Sequence, residues 1–138
     1  MSRTAYAIAN GERLMPLHSY RDLDVWKLAV ELAAAADALA DKLLQTRRFK
    51  MADQLFSAAL SVSSNIAEGN GRVHRRDYAH HVSMSRGSLL EVESILYVAI
   101  RCSHLSEADC AHAFKLIDPI GRMLTNLLRA LYRPPPAE

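Results

Sequence analysis

Two cysteines in 138 residues are too few for a disulfide framework. Cys102 and Cys110 stand eight apart with no second CxxC pair and no HxxxH partner, so they read as ordinary reduced thiols. Long apolar runs are missing as well. No stretch approaches the roughly 18 residues of a membrane span, and MSRTAYAIANGERLMP lacks the long apolar core of a signal peptide. The expectation is a soluble, cytoplasmic chain with no membrane contact. Charge of one sign is also scarce. Seventeen Lys and Arg face fifteen Asp and Glu, and a formal +2 selects no partner; only its distribution can matter.

What is present is globular: half the residues are apolar and 23% are charged. A chain of this length fits one domain and buries roughly 70% of its unfolded surface. Residues 1–19 show no sustained period and hold Gly11 and Pro16, so a flexible leader is expected there. Order begins at YRDLDVW, where Asp22 or Asp24 can cap a helix by accepting from first-turn amides. Trp26, Ala29, Val30, Ala33, Ala36, Ala40, Leu43 and Leu44 then recur at three and four, one face of a helix over about 23–46.

A basic link, TRRFK, leads to a second helix over about 49–68, with Met51, Leu55, Ala58, Val62 and Ile66 on its stripe. Gly69 is expected to end it as a left-handed C-cap. A third helix, about 75–102, carries Tyr78, Val82, Ser85, Leu89, Val92, Leu96 and Ala99. Ser106 with Asp109 resembles a capping arrangement for a fourth helix over about 106–132. Pro119 inside that helix is expected to kink it, and Pro134, Pro135 and Pro136 begin a proline-rich tail over 134–138. There is no strand pattern and no internal repeat. The fold class is all-α, an antiparallel up-and-down four-helix bundle over residues 20–133.

One stretch does not suit a solitary bundle. ILYVAI, Ile95–Ile100, is apolar on every face of its helix, and Phe56 and Leu60 lie off the stripe of theirs. Such a helix needs cover on all sides. The leader or tail can supply it; a subunit interface through Phe56, Leu60, Ile95, Tyr97 and Val98 is the preferred expectation.

The polar residues form no catalytic constellation. His81 and Ser85 are one turn apart, but no acid stands by to orient them. No metal site is expected either: the histidines are scattered, with no HExxH and no Glu-x-x-His pair. Gly69, Asn70 and Gly71 lack the Lys-Ser/Thr of a phosphate loop, and no cofactor is implied. Asn65 and Glu68 share a face at the end of the second helix. Turned inward, they form either a ligand site or, as preferred here, a polar clasp drawing on amides of the third helix and on Arg72 and Arg86.

The cations cluster. Arg72, Arg75, Arg76 and Arg86 face Asp77 alone between Gly69 and Gly87, and Tyr78 beside them offers a ring for stacking a base. Arg47, Arg48 and Lys50 form a second cluster in the first link, at the opposite end of an up-and-down bundle. Each is either a phosphate contact or a solvated turn, and an oligomer multiplies both clusters around its axis.

These residues carry a resemblance. From Tyr20 to Tyr132 the chain resembles the four-helix-bundle proteins encoded in intervening sequences of bacterial 23S ribosomal RNA genes, relatives of the accessory variability proteins of diversity-generating retroelements. It rests on YRDLDVWKLAVELA, on SAALSVSSNIAEGNGR and on YAHHVSMSRGSLLEVES. The most specific part is Ser-x-x-Ser-Asn-Ile-Ala-Glu-Gly, carried whole by Ser61–Gly69; Gly87-Ser88-Leu89 followed by Glu91 is the second mark. The resemblance implies a bundle that assembles into a ring, homopentamers being known in the family. It implies no enzymatic activity, and for the retroelement relatives a basic surface that engages RNA and a reverse transcriptase. The expected function is therefore a non-enzymatic, ring-forming binding module for structured RNA. Its alternative is a scaffolding oligomer that binds a protein and no nucleic acid.

Overall fold

Apolar residues recurring every three or four positions leave one dry stripe per segment, and four such stripes close on a single core. The computed structural model describes residues 5–9, 13–17 and 19–133. Its helices are α1 (Asp24–Gln45), α2 (Phe49–Asn70), α3 (Arg75–Arg101) and α4 (Glu107–Tyr132). Each packs on its neighbours in the chain, and α4 closes back on α1, which makes the antiparallel up-and-down bundle the period implied. Leu32, Leu43, Leu55, Ile66, Leu96, Ile120 and Leu124 are fully buried between them. No helix among the described residues is long and apolar enough to cross a membrane.

The helix ends follow local chemistry, with two departures from expectation. The capping box at α4 forms: the Ser106 hydroxyl accepts from the Asp109 amide, and the Asp109 carboxylate accepts from the Ser106 amide. At the start of the bundle, however, Ser19 caps a short 3-10 turn, Tyr20–Asp22, and α1 begins without a side-chain cap. The aspartates expected to cap it do not. At the far end of α1, Arg48 N–H bonds Leu43 C=O and Arg47 N–H bonds Leu44 C=O, the paired bonds of a Schellman stop. Arg47 takes the left-handed position, φ 63°. Ser103 does the same after α3. The helix stays continuous through Pro119.

Residues 5–9 and 13–17 form a regular element that the sequence reading did not expect. Strands β1 (Ala5–Ala9) and β2 (Arg13–Leu17) pair antiparallel, Ala7 opposite Met15. Pro16 argued for loop, but each strand of a two-stranded ribbon has one unpaired edge, and a residue without an N–H is tolerated there. The proline-rich tail at 134–138 lies outside the described residues.

Gly69 does not cap α2. The helix continues to Asn70, and Gly69 is buried within it against α3. A Cβ there would stand 2.8 Å from His81 Cβ and 3.1 Å from Tyr78 Cδ1. Gly87 is the opposite case: inside α3, with nothing within 4 Å of an added Cβ. Gly69→Ala is therefore expected to destabilise by about 1–3 kcal/mol through overpacking, despite alanine's better helix propensity. Gly87→Ala should stabilise by about 0.5–1 kcal/mol. Urea melts of the two variants check both signs.

At the other end of the bundle, Lys42 of α1 binds Asp109 of α4. The Lys42 ammonium, with help from Ser106, holds the Asp109 carboxyl down to about 2. A depressed carboxylate supports the fold above its unfolded value near 4 and loses that support as pH falls toward 2. The melting temperature of Asp109→Asn should accordingly depend less on pH between about 4 and 2 than that of the parent.

Candidate functional site

Where α2 and α3 meet, small and polar side chains stand at matched heights. Hydrogen bonds cross the seam along its length. Ser88 Oγ donates to Ser61 Oγ at 2.9 Å, and Ser85 Oγ donates to Val62 C=O at 2.8 Å. Asn65 Oδ1 lies 3.2 Å from His81 Nδ1, and Asn70 Nδ2 donates to Tyr78 Oη at 3.2 Å. Asn65 spends its amide hydrogens on Ser61, at the carbonyl and the hydroxyl. Its Oδ1 is thus the acceptor, and His81 Nδ1 carries the proton. Ser85 and Asn65 are buried, so these bonds satisfy groups that would be costly to leave unpaired.

Of the clasp expected from Asn65 and Glu68, only the Asn65 half is present, and with another partner. His81 supplies the donor, in place of Arg72, Arg86 or the first amides of α3. Glu68 is peripheral: its side chain is 60% exposed and stands 3.6 Å from His81. His81 and Ser85, one turn apart on α3, bond to α2 and not to each other. Among the described residues no group of His, Cys, Asp and Glu is placed to hold a metal. Cys102 and Cys110 are both free thiols, the second buried.

The basic residues separate into those the fold uses and those it leaves. Arg75 is used: its guanidinium donates to Ala130 C=O at 2.6 Å, closing the negative end of α4. Tyr78 is 7% exposed, with its hydroxyl held by Asn70, and burial pushes its pKa up. Its ring is therefore not at the surface to stack a base, the role the sequence suggested for it, and Arg75 is engaged by α4 rather than standing free. Arg72 and Arg76 remain exposed and without an ion pair among the described residues.

At the opposite end, Arg47, Arg48 and Lys50 stand exposed and equally unpaired. They rim an open groove of about 680 Å³ between the start of α2 and the end of α3, floored by Met51, Ile95 and Val98. Phe49 and His104, which sequence reasoning passed over, share that rim. Phe49 is 59% exposed. Its signal in the sequence was an aromatic ring set between cations at a helix start.

The five residues expected at a subunit interface do not share one face. Ile95 and Val98 look toward α2 across the groove, whereas Tyr97 stacks on Phe114 of α4, ring centroids 5.0 Å apart. Phe56 stands two residues, about 200°, from groove-side Gln54, and packs partly on the core. Leu60 is exposed on the outside of α2.

Fold and site together define an up-and-down bundle whose polar motif is consumed between two helices, with cations left at both ends. The chain belongs to the 23S rRNA-intervening sequence protein family, which it matches over residues 21–126. Its fold is similar to that of a crystallised protein of unknown function from the S23 ribosomal protein family of Bacteroides thetaiotaomicron. The two are 20% identical with a TM-score of 0.72, over 76% of this chain and 98% of that one. No curated protein matches the chain.

Asn65→Ala should cost about 1–3 kcal/mol, because it strands His81 and Ser61. Glu68→Gln, at an exposed site, should fall within about 0.5 kcal/mol of the parent. Guanidinium titrations measure both.

Proposed function

We propose that the chain is a non-enzymatic, ring-forming bundle that binds structured RNA through its basic helix links. The observation that carries this reading is the α1–α2 link. Arg47, Arg48 and Lys50 are exposed, adjacent and unpaired among the described residues. Arg47 also occupies a left-handed position where glycine costs nothing and any L side chain costs about 1–2 kcal/mol. Strain of that kind persists where the side chain has a use. Consecutive guanidiniums beside an exposed phenyl ring suit phosphates with a base stacked between them.

Exposed apolar side chains support the ring. Tyr97, Val98 and Leu60 remain exposed, and apolar surface of this kind is suited to a neighbouring subunit. A ring repeats each basic link about its axis, so contacts too weak singly act together. The family's name ties its members to ribosomal RNA genes. A second reading, a scaffold that binds protein, draws on the apolar floor of the groove, where Met51, Ile95 and Val98 would meet a partner.

Light scattering should give a mass several times 15.4 kDa; a clean monomer at micromolar concentration would contradict the ring. Binding to a structured RNA should weaken steeply between about 50 and 200 mM salt. Arg47→Gly is the diagnostic variant. It should raise stability by about 1 kcal/mol by relieving the backbone, yet weaken RNA binding several-fold. A stabilised variant with unchanged RNA affinity, or no RNA binding by the parent at low salt, would favour the scaffold.

A further inference from the structure

Arg86, expected beside Glu68, turns the other way. It lines an open groove of about 510 Å³ between α3 and α4, together with Arg122 and Arg129 on the facing wall. Thr125 and Asn126 lie between those two arginines in the chain and line the same groove. At 100° per residue, positions 122, 125, 126 and 129 fall on one side of α4. Arg122 has a loose contact with Asp118, 3.4 Å between two largely exposed groups. Arg86 and Arg129 meet no carboxylate within salt-bridge reach among the described residues.

Two acids, Glu93 and Asp118, also line this groove, and the helix register shows where. Arg75 bonds Ala130, Gly121 faces Leu89, and Tyr97 stacks on Phe114. That antiparallel pairing sets Arg86 level with Arg122. Glu93 then stands about 10 Å up the bundle from Arg86, and Asp118 about 6 Å up from Arg122, at 1.5 Å rise per residue. The groove is acidic at its upper end and cationic below. In the lower half the polar side chains are three guanidiniums, a hydroxyl and an amide, all of them donors.

This density of donors exceeds what one carboxylate can accept. A guanidinium offers paired N–H groups that match two oxygens of a phosphate, and three of them on two walls suit a short run of phosphates. We propose that the lower half of the α3–α4 groove is a site for linked phosphate groups, held between Arg86 on one wall and Arg122 and Arg129 on the other. The site is separate from the α1–α2 link. Its ligand is either a free oligophosphate or the phosphodiester backbone of a nucleic acid, which share this chemistry.

The test is calorimetric titration of the full chain with inorganic tripolyphosphate at about 50 mM salt, beside anisotropy with a structured RNA. Arg86→Gln and Arg129→Gln should each weaken binding about 10-fold, the usual worth of one charged hydrogen-bond pair. Thr125→Glu should abolish it, and the double variant Arg72→Gln, Arg76→Gln should leave tripolyphosphate binding unchanged. All these side chains except Thr125 are exposed, and thermal melts confirm that each variant folds. Loss of tripolyphosphate binding in the groove variants supports a free oligophosphate. Loss of RNA binding alone in the same variants supports the backbone. If neither ligand binds the parent, or neither responds to the groove substitutions, the proposal is overturned. RNA binding that responds to Arg47→Gly, with neither RNA nor tripolyphosphate binding responding to Arg86→Gln, would overturn it while leaving the α1–α2 link reading intact.

Discussion

The backbone of α2 at Gly69 lies so close to α3 that a Cβ there would stand 2.8 Å from the Cβ of His81. That approach brings the hydrogen bonds across the seam within reach. With the helices held this near, side chains as short as Ser61, Ser85 and Ser88 can bridge them. Longer polar groups would otherwise be needed, and those lose more rotamer freedom on ordering. The same proximity presses His81 against Asn65 and Tyr78 against Asn70. Buried polar groups specify a single alignment, because a slip of either helix leaves several of them unpaired at once. The α2–α3 pair is thus fixed by chemistry as well as by apolar area, and α1 and α4 complete the core around it.

This places Ser61–Gly69, the run on which the resemblance chiefly rests, inside the architecture. Its Ser61, Asn65 and Gly69 are spent on α3, and His81 and Tyr78 of α3 are spent on α2. Arg75 is likewise spent, on the end of α4. What the fold leaves unassigned is cationic: Arg47, Arg48 and Lys50 at one end, Arg72 and Arg76 at the other, and the arginines of the α3–α4 groove. On the proposed reading, exposed guanidiniums held in separate places on a rigid bundle suit a ligand that is extended and polyanionic. The bundle holds those charges apart at fixed spacing, which one flexible basic tail cannot do.

The helices were legible because a period near 3.6 persists over more than twenty residues in each, and because Ser106 and Asp109 stand at capping distance. The errors came from residue types with two physical uses. A glycine near a helix end either adopts a left-handed turn or admits a neighbouring backbone, and Gly69 does the second. Arg75 and Arg76 are adjacent and alike, yet a 100° turn sends one to a helix end and the other to solvent. Asn65 and Glu68 share a face broadly, but only Asn65 points across the seam. His81 went unrecognised as its partner because that pairing depends on where the turn between α2 and α3 falls. The paired strands were missed because Gly11 and Pro16 were both read as signs of a flexible leader, although an edge strand tolerates a proline. Arg86 was singled out but set beside Arg72 and Glu68, and Arg122 and Arg129 were passed over because they are far from it in sequence and meet it only through the register of two helices.

The account rests on Asn65 and His81 being coupled across the seam, and a double-mutant cycle measures that coupling. The parent, Asn65→Ala, His81→Ala and the double variant would be unfolded in denaturant under identical conditions. A coupling energy of about 1 kcal/mol or more is predicted, with the double variant losing less than the sum of the singles. Additive losses, with coupling indistinguishable from zero, would mean that the two residues act separately and that the seam does not hold α2 to α3.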